Sequence, residues 1–375
     1  MTGPASRAWA YLSRVIEPPC QELVALVARA GPIEAADRIR RGLVDADLAR
    51  RTEARRDIDS SEEDLDVLAR QGGRLITPES DEWPALAFAA FGNGGASRGG
   101  APLALWALGP ARLDEVAARA AALVGTRAST SYGEHMAADL AGGLVERDVA
   151  VVSGGAYGID GAAHRAALAG DGVTVAVLAG GIDIPYPAGH SALLHRIGRH
   201  GLLCTEYPPG VRPARHRFLT RNRLVAAVSG AAVVVEAGLR SGAANTAAWA
   251  RELGRVVAAV PGPVTSSASA GCHALLRGGA ELVTRAEDIV EFVGHIGELA
   301  PDEARPTTPI DGLSEAERHV YEALPGRGAV TVDQLAVASG VAPARVLGPL
   351  AMLELAGLVR RDDGRWRIVR ARDTA

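Results

Sequence analysis

The sequence contains no lysine, so all 40 of its basic residues are arginine. A phosphate loop of the Gly-x-x-x-x-Gly-Lys-Ser type therefore cannot be built, and ATP is not expected as a ligand. Cysteine is scarce as well. Cys20, Cys204 and Cys272 lie far apart and fit neither a Cys-x-x-Cys metal site nor a disulfide framework, so no metal is expected. No apolar run reaches the ~18 residues of a membrane span, and the N-terminus lacks an apolar core ending in a cleavage site. The chain reads as cytoplasmic, without a membrane partner. Aromatic residues make up only 4%, and the net charge is -4. That charge excludes a globally basic DNA binder, so any nucleic-acid site must be a local patch.

What is present suits dense packing. Hydrophobic residues are 48% and charged residues 22% of 375, enough for cores in two or three domains of roughly 150 residues. Residues 1–75 predict a small helical module of the SAM or helix–hairpin–helix kind, with helices through Trp9–Val15, Gln21–Ala30, Ile33–Arg40 and Ser60–Arg70. Pro18-Pro19 and Gly31-Pro32 break them. Such modules either grip DNA backbones or dock on other surfaces. Residues 92–101 (GNGGASRGGA) predict a flexible loop.

From residue 120 short Val-rich runs alternate with amphipathic segments. The runs are Ala121–Val124, Ala150–Val152, Val173–Leu178, Leu202–Cys204, Ala231–Val235, Val256–Val260 and Glu281–Val283. Alternation of this kind means an α/β layer, an extended Rossmann-like, mainly parallel sheet covered on both faces, assigned to residues 76–298. A Pro-rich linker at 299–310 follows. Residues 311–375 spell three helices and a hairpin, a winged helix, with a capping box at Ser314 and Glu317 and a tight turn at Asp363-Gly364. Its third helix, Ala342–Ala356, carries Arg345 as its single base, which argues for a protein contact rather than a DNA contact.

Two strands end in glycine turns that open helices. One is Gly125-Thr126-Arg127, and the other is Ser153-Gly154-Gly155-Ala156-Tyr157-Gly158. Free amides at a helix start favour an anion, and Arg127 adds a bidentate fork. Strand-to-helix turns also need glycine for purely geometric reasons, but two such turns at adjacent strand ends favour an anion site. Their spacing does not match a dinucleotide fingerprint, and no cofactor is expected. The stretch 212–223 (RPARHRFLTRNR) interleaves arginines with one phenylalanine, the pairing of cations and a flat ring that suits a single nucleic-acid strand. Arg215, Arg217, Phe218, Arg221, Asn222 and Arg223 are its candidates. The competing reading places Phe218 in a core and pairs Arg221 and Arg223 with acids. Further turns at Glu236–Gly242, with Asn245 and Thr246 beyond, and at Pro261–Pro263, leading to Gly271, complete a floor of backbone donors. Ser241, Gly242, Thr246 and Gly271 are candidates there. Glu236 stands without an evident carboxylate partner, which is weak ground for acid–base catalysis.

Taken together, GTR at 125–127, SGGAYGID at 153–160, Phe218 with Arg221-Asn222-Arg223, Glu236-Ala237 with Ser241-Gly242 and Thr246-Ala247, Pro261-Gly262 and Gly271-Cys272-His273 resemble the DNA-processing protein A (DprA, or Smf) family. The motifs span residues 120–285. The resemblance implies a non-enzymatic protein that binds single-stranded DNA in natural transformation, protects it and loads the RecA recombinase. It also implies a homodimer formed through the Rossmann-like domain. Carried over by motif, Arg127 and the amides of 153–158 hold phosphates, Arg215 is a phosphate-binding base, Phe218 contacts a nucleobase, and Arg221 and Arg223 line or brace the groove. The chain departs from the family pattern at Leu219, where proline is usual, at His273, where asparagine is usual, and at Asn245, where an apolar residue is usual. The alternative is a phosphoribohydrolase acting on nucleoside monophosphates through Glu236, although the Pro-Gly-Gly-x-Gly-Thr loop of that group is missing.

Overall fold

Apolar side chains alternate along the central strands and enter cores on both faces of one sheet. A computed structural model describes residues 3–92, 99–294, 310 and 312–369. The chain divides into two compact units, Met1–Pro301 and Asp302–Ala375. Unit one is built on nine strands: β1 Arg74–Ile76, β2 Leu105–Leu108, β3 Ala120–Gly125, β4 Ala150–Ser153, β5 Thr174–Val177, β6 Leu202–Thr205, β7 Ala231–Glu236, β8 Val256–Ala259 and β9 Glu281–Leu282. Their order is β1-β2-β6-β5-β4-β3-β7-β8-β9, and only β2 runs against the rest. The strand order reverses at β3, which opens a crevice between the carboxyl ends of β3 and β7.

Ala120, Ala122 and Val124 of β3 face one core, together with Ala232 and Val234 of β7. Ala121 and Leu123 face the other, with Val233 and Val235. Helices Arg215–Ala227 and Gly242–Glu252 cover the first face, while Ser131–Val145, Ile159–Ala169 and Ala286–Val293 cover the second. Alanine on the strands keeps these layers close. At β1 and β2 the sequence predicted no strand: Arg74–Ile76 and Leu105–Leu108 lie outside the regular strand–helix alternation that marks the other seven.

Four N-terminal helices, Pro4–Val15, Gln21–Ala30, Pro32–Arg40 and Ala46–Thr52, share a core of their own, while a fifth, Ser61–Arg70, packs Leu65 and Leu68 into a core with the sheet. They do not stand apart from the sheet. Ala10 packs with Trp106 and Leu203, the Trp106 indole donates to Ser13 Oγ at 3.3 Å, and the boundary expected at residue 75 falls inside β1. The glycine-rich loop is described only at residues 92 and 99–101, and the expected linker 299–310 lies outside the described residues apart from Ile310.

Unit two contains helices Glu315–Glu322, Val332–Ser339 and Pro343–Leu355 and the hairpin β10 Val359–Asp362 and β11 Arg365–Ile368, around Leu335, Val346, Leu350 and Trp366. This is a winged helix. Ser314 and Glu317 cap each other reciprocally. Asp363 and Gly364 both take positive φ, as a two-residue hairpin turn requires. Among the described residues, no single helix is long and apolar enough to cross a membrane.

Candidate nucleic-acid interface

The crevice between β3 and β7 widens into an open groove of about 660 Å³. Loops following β3, β4, β5 and β7 and the start of helix Arg215–Ala227 line it. The turn Gly125-Thr126-Arg127 is fixed to β7 by the Thr126 amide, which donates to the Glu236 carbonyl at 2.7 Å. Gly158, at φ 73°, brings the β4 turn against the Thr126 and Arg127 backbone so closely that no side chain fits there. Arg127 is thereby held at the mouth, exposed, with its guanidinium carbon 5.0 Å from the Phe218 ring centroid.

Helix Arg215–Ala227 was not legible as a helix, because its burial changes along its axis instead of around it. Its first turns edge the groove and everything from Arg221 onward is buried. Arg215, His216 and Arg217 crowd its first turn, where basic residues oppose the helix dipole. Glu17, from the connection between the first two N-terminal helices, offsets them. Its carboxylate accepts from Arg217 Nε at 2.7 Å and Nη2 at 2.9 Å, and it lies 3.2 Å from both His216 and Arg55. Arg217 also stacks over Tyr207. It is a brace outside the groove lining, and the expectation that it contacts ligand is corrected.

Arg223 is corrected in the same way. It is fully buried, pairs with Glu206 at 2.7 Å and lies over Phe91. Arg221 sits in the groove floor, but its guanidinium donates to the carbonyls of Gly154 (2.8 Å) and Val177. Burial pushes its pKa down, and Asp160 opposes that shift; burial likewise pushes the Asp160 carboxyl up, opposed by Arg221. Asp160 explains a further correction. Its carboxylate accepts from the amides of Gly154 (3.1 Å) and Ala156 (3.3 Å), so those two donors serve the turn rather than a phosphate. Ser153 gives its hydroxyl to the Leu123 carbonyl at 2.6 Å, and Gly155 adopts positive φ behind the lining.

On the far wall Ser241 caps helix Gly242–Glu252, accepting from the Ala244 amide at 3.3 Å. Gly242 and Thr246 line the groove beside it. Asn222 accepts from Arg221 Nε and donates to Gly242 O and Asn245 Oδ1, so the departure at Asn245 supplies a partner for a groove residue. His273 lies 3.0 Å from the Gly262 carbonyl, and Leu219 stands half exposed on the rim. Gly271 lies under the third loop, its amide donating to the Ala237 carbonyl. It does not reach the groove.

Three charged or aromatic lining residues were not among the sequence candidates. Arg240 was passed over, although it is an arginine in a third loop at the same sheet edge. Tyr186 was missed in a chain poor in aromatics, and its ring lies 5.4 Å from Phe218. Asp160, an acid at a helix start, was the third. The charge in the lining that remains open to solvent is cationic. Arg127, Arg215 and Arg240 are exposed and pair with no carboxylate among the described residues. Glu236, in contrast, is buried and fully engaged, accepting from the Thr130 amide at 2.8 Å and its hydroxyl at 2.7 Å. It holds the start of helix Ser131–Val145.

Residues 74–294 match the family model of DNA recombination-mediator protein A, and residues 304–365 match the DprA winged helix domain. The DNA processing protein DprA of Mycobacterium tuberculosis is 76% identical over 99% of this chain and 96% of its own length. Protein Smf of Escherichia coli is 37% identical over 64% of each chain. The X-ray structure of DprA from Streptococcus pneumoniae superposes with a TM-score of 0.64 at 29% identity, covering 78% of this chain and 99% of that one. DprA from Helicobacter pylori, solved for its single-stranded DNA binding mode, gives 0.51 at 26% identity over 58% of this chain and 94% of that one. With both family models matched in order and a relative this similar along the whole length, the chain belongs to the DprA/Smf family of DNA recombination-mediator proteins.

Proposed function

We propose that this chain binds single-stranded DNA in the groove between β3 and β7 as a recombination mediator. It shields the strand and loads the RecA recombinase onto it, in natural transformation or in general recombination. On this reading the protein acts as a homodimer through the sheet unit and catalyses no reaction. One observation carries the proposal: three arginines without carboxylate partners among the described residues line the groove with a partly exposed phenylalanine at a topological switch point. Unpaired guanidinium groups suit phosphates, and a ring between them suits a base, with little sequence preference. The family membership and the DNA-binding mode named for the Helicobacter relative support the same reading. The hydrolase alternative is disfavoured because both Glu236 oxygens are occupied by Thr130. The test is fluorescence anisotropy of a labelled oligothymidine across a salt series with duplex competitor, for wild type and Arg127→Ala. Salt-sensitive binding that prefers single strands and weakens in the variant is expected. A folded wild type that binds no oligothymidine at low salt overturns the proposal.

A further inference from the structure

All fifteen aromatic residues lie among the described residues, and only Tyr132, Tyr157 and Tyr186 are exposed, at 37%, 45% and 46%. The three follow the carboxyl ends of β3, β4 and β5, so every exposed ring stands on the sheet edge that carries the groove. Exposed rings gathered at one sheet edge, rather than scattered singly over the surface, mark that edge as a contact surface.

Their surroundings differ in charge. Tyr186 forms the groove wall beside Phe218. Tyr157 stands outside the groove lining, on the β4 side, and is held rigidly. Its hydroxyl accepts from the Gly189 amide at 3.2 Å, and its ring meets His190 edge-on at 4.7 Å. His190 and the exposed Arg165 both crowd the space above Gly161, where a Cβ would collide with the imidazole. Arg165 pairs with no carboxylate among the described residues. Tyr132 sits on the opposite side. Its hydroxyl donates to the Pro261 carbonyl at 2.5 Å, exposed Glu134 stands two residues on, and Glu236 holds Thr130 two residues before. A phosphate is attracted beside Tyr157 and repelled beside Tyr132.

Resting on the single-strand reading of the groove, we propose that the DNA strand leaves it over Tyr186 toward β4. There Tyr157 is a second base-stacking platform and Arg165 an accompanying phosphate contact. The strand does not leave over Tyr132. Non-specific single-strand sites interleave rings and cations along the path in this way, and they extend over roughly 4–16 nucleotides.

The length of the oligonucleotide separates this outlying station from the groove. Labelled oligothymidines of about 6 and about 20 nucleotides are titrated by anisotropy against wild type, Tyr157→Ala, Tyr157→Phe and Tyr132→Ala, each checked by thermal melting. Loss of one stacked base weakens binding about 5- to 160-fold. That loss is expected for Tyr157→Ala on the long probe only, with recovery in Tyr157→Phe, which keeps the ring. Tyr132→Ala should bind both probes as wild type does. The proposal is overturned if folded Tyr157→Ala binds the long probe normally, or loses both probes equally, or if Tyr132→Ala is the variant that loses the long probe. A wild type that binds neither length overturns the groove reading itself, which distinguishes the two failures.

Discussion

The guanidinium of Arg127 lies over the ring of Phe218, 5.0 Å from its centroid, although one follows β3 and the other opens the helix after β6. A cation above an aromatic face is attracted by its quadrupole, and the contact orients both groups at the groove mouth before any ligand arrives. The two residues should therefore act as a unit. Phe218→Ala should weaken oligothymidine binding by about 1–3 kcal/mol. Arg127→Ala should reduce the dependence of log affinity on log salt by about 0.7, the contribution of one neutralised phosphate on a single strand. The double variant should lose less than the sum, because each single change already disturbs the shared contact. Strict additivity in anisotropy titrations would show that the ring and the guanidinium serve separate ligand atoms.

The arginines of the helix after β6 divide into two classes, and melting separates them. Arg223 and Glu206 are a buried pair, and removing one partner strands the other charge. Arg223→Ala should lose about 3–5 kcal/mol of stability in denaturant unfolding. Arg215 is exposed and pairs with no carboxylate among the described residues, so Arg215→Ala should unfold like wild type and lose affinity for DNA. If Arg223→Ala kept its stability and lost DNA, the buried assignment would be wrong.

The layered sheet was readable because alternating Ala and Val runs with helices between them leave few architectures that bury both faces. The groove was readable in part for the same reason: glycine turns at adjacent strand ends converge once the strand order is known. Which arginine faces solvent was not readable. Arg217, Arg221 and Arg223 look alike beside Arg215 in sequence, and their carboxylate or carbonyl partners come from Glu17, Gly154, Val177 and Glu206, remote in the chain. The same holds for the amides of Gly154 and Ala156. Nothing in the spacing of SGGAYGID shows that its own Asp160 satisfies them.

Acid sensitivity should trace in part to His164. The ring is buried, its Nδ1 lies 2.7 Å from Thr174 Oγ1, and that hydroxyl donates to the Val151 carbonyl, so the ring nitrogen is the donor of the pair. Burial, reinforced by the nearby charges of His190, Arg221 and Arg165, pushes its pKa down to about 3. In the unfolded chain the imidazole takes a proton near its ordinary 6.5, so between those values the unfolded state binds more protons. This contribution to stability is complete above pH 6.5 and declines as pH falls toward 3, by at most about 1.4 kcal/mol per unit. Unfolding curves from neutral pH downward should be flatter in His164→Gln than in wild type. Equal slopes would assign the acid sensitivity to other groups.

Glu17 gives the N-terminal helices a role in shaping the groove. Burial pushes its carboxyl up, but hydrogen bonds from Arg217, Arg55 and His216 outweigh that effect and hold it below its ordinary 4.5. A lowered carboxylate pKa means that the folded state releases the proton more readily. The stabilisation is therefore complete above the ordinary value and is lost as pH falls through the folded one. Glu17→Gln should cost about 1–2 kcal/mol near neutral pH, as expected for charge-assisted hydrogen bonds that are half screened by solvent. The gap between variant and wild type should close as the medium is acidified below pH 4.5. Because Arg217 occupies the first turn of the helix that presents Arg215 and Phe218, the substitution should also loosen that turn and weaken oligothymidine binding. A variant with lowered stability and unchanged affinity would mean that Glu17 supports the fold without positioning the groove.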